Sequence, residues 1–257
     1  MIKTCDITIP ELSGDMKRLV YVYLPDSYDT DPEKRYPVLY MFDGHNVFFD
    51  SHATYGTSWG MGEYMERTRT QMIIAAVECN HGPNNERLCE YAPYSFNNSY
   101  FGQIQGLGEI TMQWIIRELK PMIDATYRPL PDREHTMIAG SSMGGLMSLY
   151  AVLKYNDIFS RAACLSASFS FCPKEMDQLI RQAEVSQETI VYLDFGSEEM
   201  SLWKELHEDY IRIVSSLIRK GIWLDTRIIP EGTHCEASWS RQIPFFILLH
   251  LPGEKRR

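Results

Sequence analysis

The fold is decided by the stretch His135-Thr-Met-Ile-Ala-Gly140-Ser-Ser142-Met-Gly144-Gly145-Leu-Met-Ser-Leu-Tyr-Ala-Val-Leu-Lys154. Its apolar beginning, residues 136–139, is typical of a buried strand, and the apolar residues after Gly145 recur at helical spacing. Between the two lies Gly140-Ser-Ser142-Met-Gly144, which matches G-x-S-x-G in the strand–turn–helix context that this motif requires. The sequence therefore predicts a sharp turn with Ser142 at its tip.

Glycines are needed in such a turn because a strand that reverses into a helix brings backbone against backbone. Gly140 and Gly144 remove side chains that would clash there. The N–H of Met143, at the helix N-terminus, is then available to bind a developing oxyanion. Two alternatives remain: Ser141 could be the reactive serine, although the motif spacing favours Ser142, or the serine could only cap the helix.

Length and composition are those of one ordinary globular α/β domain spanning residues 1–257, without linkers that would divide it. A net charge of −9 argues against a nucleic-acid partner. We find no signal-peptide pattern and no apolar run of membrane-spanning length, so we expect a cytoplasmic protein without a membrane partner. The six cysteines are scattered, which favours free thiols. A homo-oligomer is compatible with this composition.

Strand and helix patterns alternate from residue 37 onward. Two loosely alternating stretches, 2–9 and 17–24, precede them and predict an antiparallel hairpin. We expect further strands at 37–42, 72–77, 136–139, 162–165, 189–195 and 223–229, and helices at 59–69, 110–124 (ended or kinked at Pro121), 143–154, 174–182, 201–220 and 237–251. This order predicts a mainly parallel sheet of about eight strands with helices on both faces, as in the α/β-hydrolase fold.

The strand 37–42 ends in the glycine-containing loop Asp43-Gly44-His45-Asn46. An α/β-hydrolase places its second oxyanion donor in such a loop, and Gly44 would let the N–H of His45 face the nucleophile. The side chain of His45 falls too early in the chain to be the catalytic base, since the fold uses the order serine, acid, histidine.

A long polar loop, residues 78–94, follows the strand 72–77. Cys79, His81 and Cys89 lack a fourth ligand and a standard metal-site spacing, so we expect no metal. Arg87 and Glu90 either contact substrate or pair with each other to brace the loop. We place the substrate pocket at the residues Trp59, Asn80, Arg87 and Trp239, although each tryptophan is at least as compatible with core packing.

A base and an orienting carboxylate follow at two later strand ends. His234 comes after Gly232 at the end of strand 223–229, where catalytic groups of α/β sheets gather. The acid is less sharply defined. Glu199 is favoured and Glu198 is second, while Asp194 could equally be a buried residue that hydrogen-bonds a loop.

These motifs resemble the esterase D or "putative esterase" group of α/β-hydrolases, which includes feruloyl and acetyl xylan esterases of carbohydrate esterase family 1, enterochelin esterases, S-formylglutathione hydrolases and mycolyltransferases. The resemblance covers most of the chain and is carried by Tyr40–Phe48, Arg87-x-x-Glu90-Tyr91-x-Pro93, Gly140–Gly145, Asp194–Glu199 and Gly232-x-His234 with Trp239. Many members carry Asp where this chain has Glu199.

The resemblance implies a serine esterase with Ser142, Glu199 and His234 as nucleophile, acid and base. It implies oxyanion donors at the N–H groups of Met143 and His45, and no metal or organic cofactor for the chemistry. The expected partner is a small-molecule ester, best matched by a carbohydrate or aryl ester. Acyl transfer to another alcohol, hydrolysis of a thioester or siderophore ester, and a binding protein that kept the fold without activity are the alternatives.

Overall fold

The computed structural model describes residues 1–202 and 204–250, and in it the alternating pattern becomes one large sheet and a small hairpin. The large sheet has the order β1-β2-β4-β3-β7-β8-β9-β10. The strands are β1 (Ile2–Ile7), β2 (Arg18–Tyr23), β3 (Val38–Met41), β4 (Ile73–Val77), β5 (Phe96–Asn98), β6 (Gly102–Ile104), β7 (Thr136–Ser141), β8 (Arg161–Leu165), β9 (Ile190–Gly196) and β10 (Trp223–Ile229). The predicted α/β-hydrolase architecture is therefore confirmed.

The first strands are antiparallel and the rest are parallel. β1 pairs with β2, and β2 with β4, in antiparallel register, as the predicted N-terminal hairpin requires. All pairs from β4 through β3, β7, β8 and β9 to β10 are parallel. Parallel pairing brings the carboxyl ends of β3, β7, β8, β9 and β10 to the same edge of the sheet, where the predicted site residues follow.

Helices cover both faces of the sheet: α1 (Pro10–Ser13), α2 (Met61–Thr68), α3 (Glu86–Glu90), α4 (Gly108–Trp114), α5 (Lys120–Thr126), α6 (Met143–Lys154), α7 (Pro173–Gln182), α8 (Ser197–Leu202), α9 (Lys204–Lys220), α10 (Glu236–Ser240) and α11 (Ile243–His250). Side chains alternate along each strand, so Val38 and Tyr40 join one buried cluster while Leu39 and Met41 join the other. Among the described residues, no helix has the length and apolarity needed to cross a membrane.

Proline explains two departures from the predicted helices. Before Pro121 the helix passes through a π-helical stretch, Ile115–Leu119, and then continues as α5. The final predicted helix is instead two, α10 and α11, with Pro244 in the first turn of α11. Because proline has no N–H to donate, an uninterrupted helix would lose a hydrogen bond at that position. Leu251, the predicted end, lies outside the described residues.

The long loop after β4 is more ordered than the sequence suggests. It contains the short helix α3, and the hairpin of β5 and β6 follows it. Glu90, at the end of α3, is buried and accepts a hydrogen bond of 2.8 Å from Arg18 Nη1 on β2. The Glu90 carboxylate is thus bound by Arg18 of β2 in the interior of the protein. The alternative in which Glu90 pairs with Arg87 is therefore wrong.

Candidate active site

Ser142 sits in a strained turn between β7 and α6. Its φ and ψ are 57° and −123°, a conformation that L-residues rarely adopt and that occurs where a serine is held at a sharp strand-to-helix turn. The Ser142 N–H donates to the carbonyl of Leu165 on β8 at 2.9 Å. The adjoining strand thus fixes the backbone of the turn on one side.

Glycine is required on both sides of Ser142. A Cβ added to Gly140 would lie 2.6 Å from the carbonyl carbon of Gly144, and one added to Gly144 would lie 2.9 Å from Phe42 Cβ. Neither distance is tolerated by real Cβ atoms without a shift of the backbone. The two glycines predicted from the motif therefore permit the close approach of strand, helix and β3 that forms the turn.

His234 and Glu199 meet Ser142 in a continuous hydrogen-bonded chain. His234 Nε2 is 2.9 Å from Ser142 Oγ, and His234 Nδ1 is 2.6 Å from Glu199 Oε2. The side chain of His234 is 40% exposed, whereas that of Glu199 is 3% exposed. A partly exposed imidazole that is hydrogen-bonded to a buried carboxylate is the arrangement expected of a general base and its orienting acid.

Two more glycines bring the acid and the base together. Gly196 ends β9 and Gly232 follows β10, and a Cβ on Gly196 would lie 2.1 Å from the Gly232 carbonyl oxygen. The Glu198 N–H donates to that same oxygen at 3.1 Å. Only at this backbone contact can the loop of Glu199 and the loop of His234 approach closely enough to share a hydrogen bond.

A network that the sequence did not reveal holds the second oxygen of Glu199. Glu199 Oε1 accepts from Ser166 Oγ at 2.7 Å and from the Gly196 N–H at 3.0 Å. Ser166 Oγ in turn accepts from Trp239 Nε1 at 2.9 Å. Ser166 has a positive φ of 43°, which for a non-glycine residue marks a constrained position at a β-strand end. The carboxylate is thus oriented from both sides.

The other two candidate acids are placed differently. Glu198 is exposed, with its side chain near Ser197. Asp194 is buried in β9, where its carboxyl oxygens accept from the Tyr192 hydroxyl at 2.8 Å and the Ser166 N–H at 3.2 Å. Burial raises the pKa of Asp194 to about 7, although these two hydrogen bonds oppose the rise. Asp194 therefore matches the alternative interpretation, in which it hydrogen-bonds a loop.

The two predicted oxyanion donors lie at helix starts. Met143 is the first residue of α6, and His45 lies in the 3₁₀ turn Gly44–Asn46 that follows β3. Backbone N–H groups in a first helical turn have no partner within the helix. Gly44 is required for close packing, since a Cβ there would lie 2.6 Å from the Ala76 carbonyl oxygen at the end of β4.

Asp43 and Arg87 brace the turn that carries His45. Asp43 has a left-handed φ of 56°, and its N–H donates to the Tyr91 hydroxyl at 3.2 Å. Arg87 Nε and Nη2 each lie 2.7 Å from an Asp43 carboxylate oxygen. Burial has the largest single influence on the pKa of Asp43 and would raise it, but the charge and the hydrogen bonds of Arg87, with smaller contributions from His45 and Cys79, together lower the pKa. Arg87 is thus part of the support of the turn.

The remaining candidates for the substrate pocket mainly contact other residues of the protein. Trp59 is 4% exposed and packs against Trp239 and Phe246 in the core. Asn80 is buried, and its side-chain oxygen accepts from the Gly82 N–H at 2.9 Å. Trp239 lies at the site and also packs in the core. Its ring is edge to face with that of His234, with 5.1 Å between centroids, and its N–H donates to Ser166 Oγ.

Ser168 is a further polar group at the nucleophile that the sequence did not indicate. Its hydroxyl is 3.3 Å from Ser142 Oγ, and its N–H donates to the Ser142 carbonyl at 3.1 Å. Ser168 lies in the loop after β8 and belongs to no recognised sequence motif. It supplies a second hydroxyl beside the reactive oxygen.

Comparison with known proteins identifies the family of this chain. Residues 11–242 match the family model described as "Putative esterase". The protein YbbA of Bacillus subtilis (strain 168), described as uncharacterized, is 25% identical over 211 residues, which cover 79% of each chain. A solved ferulic acid esterase superposes with a TM-score of 0.72 at 20% identity, covering 97% of both chains. The siderophore hydrolase EstA of Aspergillus nidulans superposes with a TM-score of 0.71 at 16% identity, covering 97% of this chain and 95% of that one.

Proposed function

The chain belongs to the "Putative esterase" family, and on that premise we propose that it is a serine carboxylic ester hydrolase acting through Ser142. The family and its structural neighbours support ester hydrolysis in general. The finer assignment is carried by one observation, the chain of hydrogen bonds from Ser142 Oγ through His234 to Glu199. A serine hydroxyl becomes a nucleophile at neutral pH only beside such a base.

The first half of the reaction forms an acyl-enzyme. Ser142 Oγ attacks the ester carbonyl while His234 Nε2 takes the hydroxyl proton, and Glu199 stabilises the imidazolium and its tautomer. The N–H groups of Met143 and His45 donate to the tetrahedral oxyanion, where each such donor typically contributes about 10²–10³ in rate. His234 then gives its proton to the leaving alcohol oxygen as the carbon–oxygen bond breaks.

The second half returns the free enzyme. A water molecule loses a proton to His234 as its oxygen attacks the acyl carbon, and the new tetrahedral oxyanion uses the same two N–H donors. Collapse of this intermediate releases the carboxylic acid, and His234 returns its proton to Ser142 Oγ. No metal or organic cofactor takes part in either half of the proposed reaction.

The substrate is proposed to be a small ester with a carbohydrate or aryl component. Support comes from the names of the neighbours, a ferulic acid esterase and a siderophore hydrolase, although the latter leaves siderophore esters as a competing class. The side chain of His234 is 40% exposed, so the site is open to a substrate on that side.

Hydrolysis of p-nitrophenyl acetate and of a longer-chain p-nitrophenyl ester, measured for the wild type and for Ser142→Ala, tests the proposal. We expect turnover by the wild type and a loss of at least about 10³-fold in the variant. Ser141→Ala, one residue away, is the matched control and should keep its activity. Unchanged turnover in Ser142→Ala would refute the assignment, and faster product formation on adding an acceptor alcohol would favour acyl transfer instead.

A further inference from the structure

A cluster of nitrogen and sulfur groups lies beside the turn that follows β3. Potential ligand atoms of His45, Cys79 and His81 all lie within 4.8 Å of one another. Cys79 Sγ is 4.0 Å from His81 Nδ1, and the rings of His45 and His81 meet edge to face with centroids 4.5 Å apart. The proposed esterase mechanism uses none of these three side chains.

One atom of this cluster is buried without a partner. The His45 side chain is 4% exposed, its Nε2 lies 3.1 Å from Thr54 Oγ1, and among the described residues its Nδ1 has no hydrogen-bond partner. A buried polar atom left unpaired is destabilising, so such an atom calls for a partner. With Nε2 as the donor to Thr54, Nδ1 carries a lone pair in the interior of the protein.

The second histidine is oriented by a carboxylate. His81 Nε2 is 3.3 Å from Glu78 Oε1, and the other oxygen of Glu78 is fixed by the Leu19 N–H at 2.9 Å. A carboxylate that accepts from one ring nitrogen leaves the other nitrogen as a ligand, which is the usual outer arrangement around a metal-bound histidine. His81 Nδ1 is the nitrogen that lies near Cys79.

We propose that His45, Cys79 and His81 form a binding site for a divalent transition metal, with Zn²⁺ as the best match. Two imidazoles and a thiol are borderline-to-soft ligands, which suit zinc and exclude the oxygen-seeking calcium and magnesium ions. Three protein ligands leave a fourth tetrahedral position for water. From the sequence we considered Cys79, His81 and Cys89 as metal ligands and expected no metal. The fold instead brings His45, which follows a different strand, to Cys79 and His81 in place of Cys89.

Zinc binding requires the three ligand atoms to move slightly closer to one another. Zinc binds nitrogen at about 2.0–2.1 Å and sulfur at about 2.3 Å, so ligand atoms of a tetrahedral site lie about 3.4–3.6 Å apart. His45 and Cys79 are buried, while the side chain of His81 is 52% exposed on the loop after β4. We expect the exposed His81 ring to make most of the adjustment that brings the ligand atoms, which lie within 4.8 Å of one another, to these distances.

Binding exchanges a proton for the metal and transfers no electrons. Cys79 is a buried free thiol. When the metal binds, the S–H bond breaks, its proton passes to solvent, and the sulfur lone pair forms the bond to the metal. Asp43 keeps its two hydrogen bonds from Arg87. The metal would tie the turn after β3 to the loop after β4.

Metal binding to the full chain, stripped with a chelator, tests the proposal by equilibrium dialysis against Zn²⁺. We expect one Zn²⁺ per chain in the wild type and at least tenfold weaker binding in His81→Gln, which removes an exposed ligand without opening the core. His207→Gln, also at an exposed histidine, is the matched control and should bind like the wild type.

Cobalt(II) substitution identifies the sulfur ligand. Bound Co²⁺ should show a thiolate-to-cobalt charge-transfer band that is absent in Cys79→Ser and retained in Cys89→Ser, at a half-buried cysteine outside the cluster. Ser142→Ala should bind both metals like the wild type, so the result is independent of the esterase assignment. Equal Zn²⁺ binding by the wild type and His81→Gln, or a charge-transfer band that survives in Cys79→Ser, would overturn the proposal.

Discussion

The turn around Ser142 and the loops that carry Glu199 and His234 together form one candidate triad. The two regions are held in shape by different kinds of interaction. The turn lies within six consecutive residues, 140–145, and its shape follows from close contacts between glycine backbones and their neighbours. The acid and the base are 35 residues apart and meet through hydrogen bonds from a third strand end and from α10. Sterics fix the first region, whereas the second combines one close backbone contact, between Gly196 and Gly232, with several hydrogen bonds.

This difference has a consequence for how each region fails. Backbone close packing has no alternative arrangement, so a change in the turn should reduce the stability of the fold. A hydrogen-bonded carboxylate can lose one partner and stay in place, so a change in the loops should reduce rate while leaving the fold intact. The following variants separate these two outcomes.

The largest effect is expected for Glu199→Gln. The amide can present an N–H to His234 Nδ1 and so favour the wrong tautomer, which in serine hydrolases lowers kcat by about 10⁴-fold. Ester hydrolysis and the free energy of unfolding should be measured on the same protein. Glu198→Gln, at the exposed neighbour, should change the rate less than about threefold. Equal losses in the two variants would remove Glu199 from the acid role.

Gly140→Ala should act on stability. Its new Cβ would lie 2.6 Å from the Gly144 carbonyl carbon, and forced overpacking of this kind costs about 1–3 kcal/mol. Gly62→Ala, in helix α2, is the control, because its Cβ would meet only side-chain atoms, the flexible end of Ile2 at 3.2 Å and Phe48 Cδ1 at an ordinary contact distance of 3.6 Å. Urea unfolding gives both values. A Gly140→Ala protein as stable as the control would show that the turn tolerates a side chain.

Trp239→Phe and Ser166→Ala should lower kcat by about tenfold each. Trp239→Phe removes the hydrogen bond from Trp239 to Ser166, whereas Ser166→Ala removes that bond and the one from Ser166 to Glu199. The Phe side chain keeps an aromatic ring beside His234, and a factor of ten corresponds to about 1.4 kcal/mol. Because both act through the same carboxylate, the double variant should lose less than the product of the single losses. Fully multiplicative losses would mean that the two residues act independently.

A change in the pH dependence of stability is expected for Asp194→Asn. Burial raises the pKa of Asp194 from 3.8 to about 7, so the folded protein holds a proton there that the unfolded chain releases. The free energy of unfolding contributed by this group therefore falls as pH rises from about 4 to about 7. Asp194→Asn should flatten the decline in a series of urea titrations across that range. An unchanged slope would contradict a protonated Asp194.

Features encoded within one short stretch could be predicted from the sequence. The strand, glycines and helix around Ser142 are adjacent in the chain, and the parallel sheet follows from the alternation of strands and helices. The order of serine, acid and histidine placed Glu199 and His234 at two strand ends, and the structure brings both to Ser142. Glycines at 196 and 232 carried that signal, since each marks a close approach of two backbones.

Features built from distant residues could not be predicted in this way. Arg87 pairs with Asp43 and Glu90 with Arg18, because the sheet order places these partners together across long stretches of chain. Ser166 lies in the turn that follows β8, where no motif marks it, and becomes a positioning group only when α10 brings Trp239 against it. His45 joins Cys79 and His81 because β3 and β4 are neighbours in the sheet.

Labelling with a fluorophosphonate, followed by peptide mapping, tests the central claim most directly. Such a reagent phosphonylates an activated serine hydroxyl, so the account predicts one label per chain, on Ser142, and none in Ser142→Ala. His234→Ala should retain Ser142 and yet label far more slowly, since the base is missing. A label on Ser141 or Ser168, or labelling of Ser142 that does not depend on His234, would contradict the proposed triad.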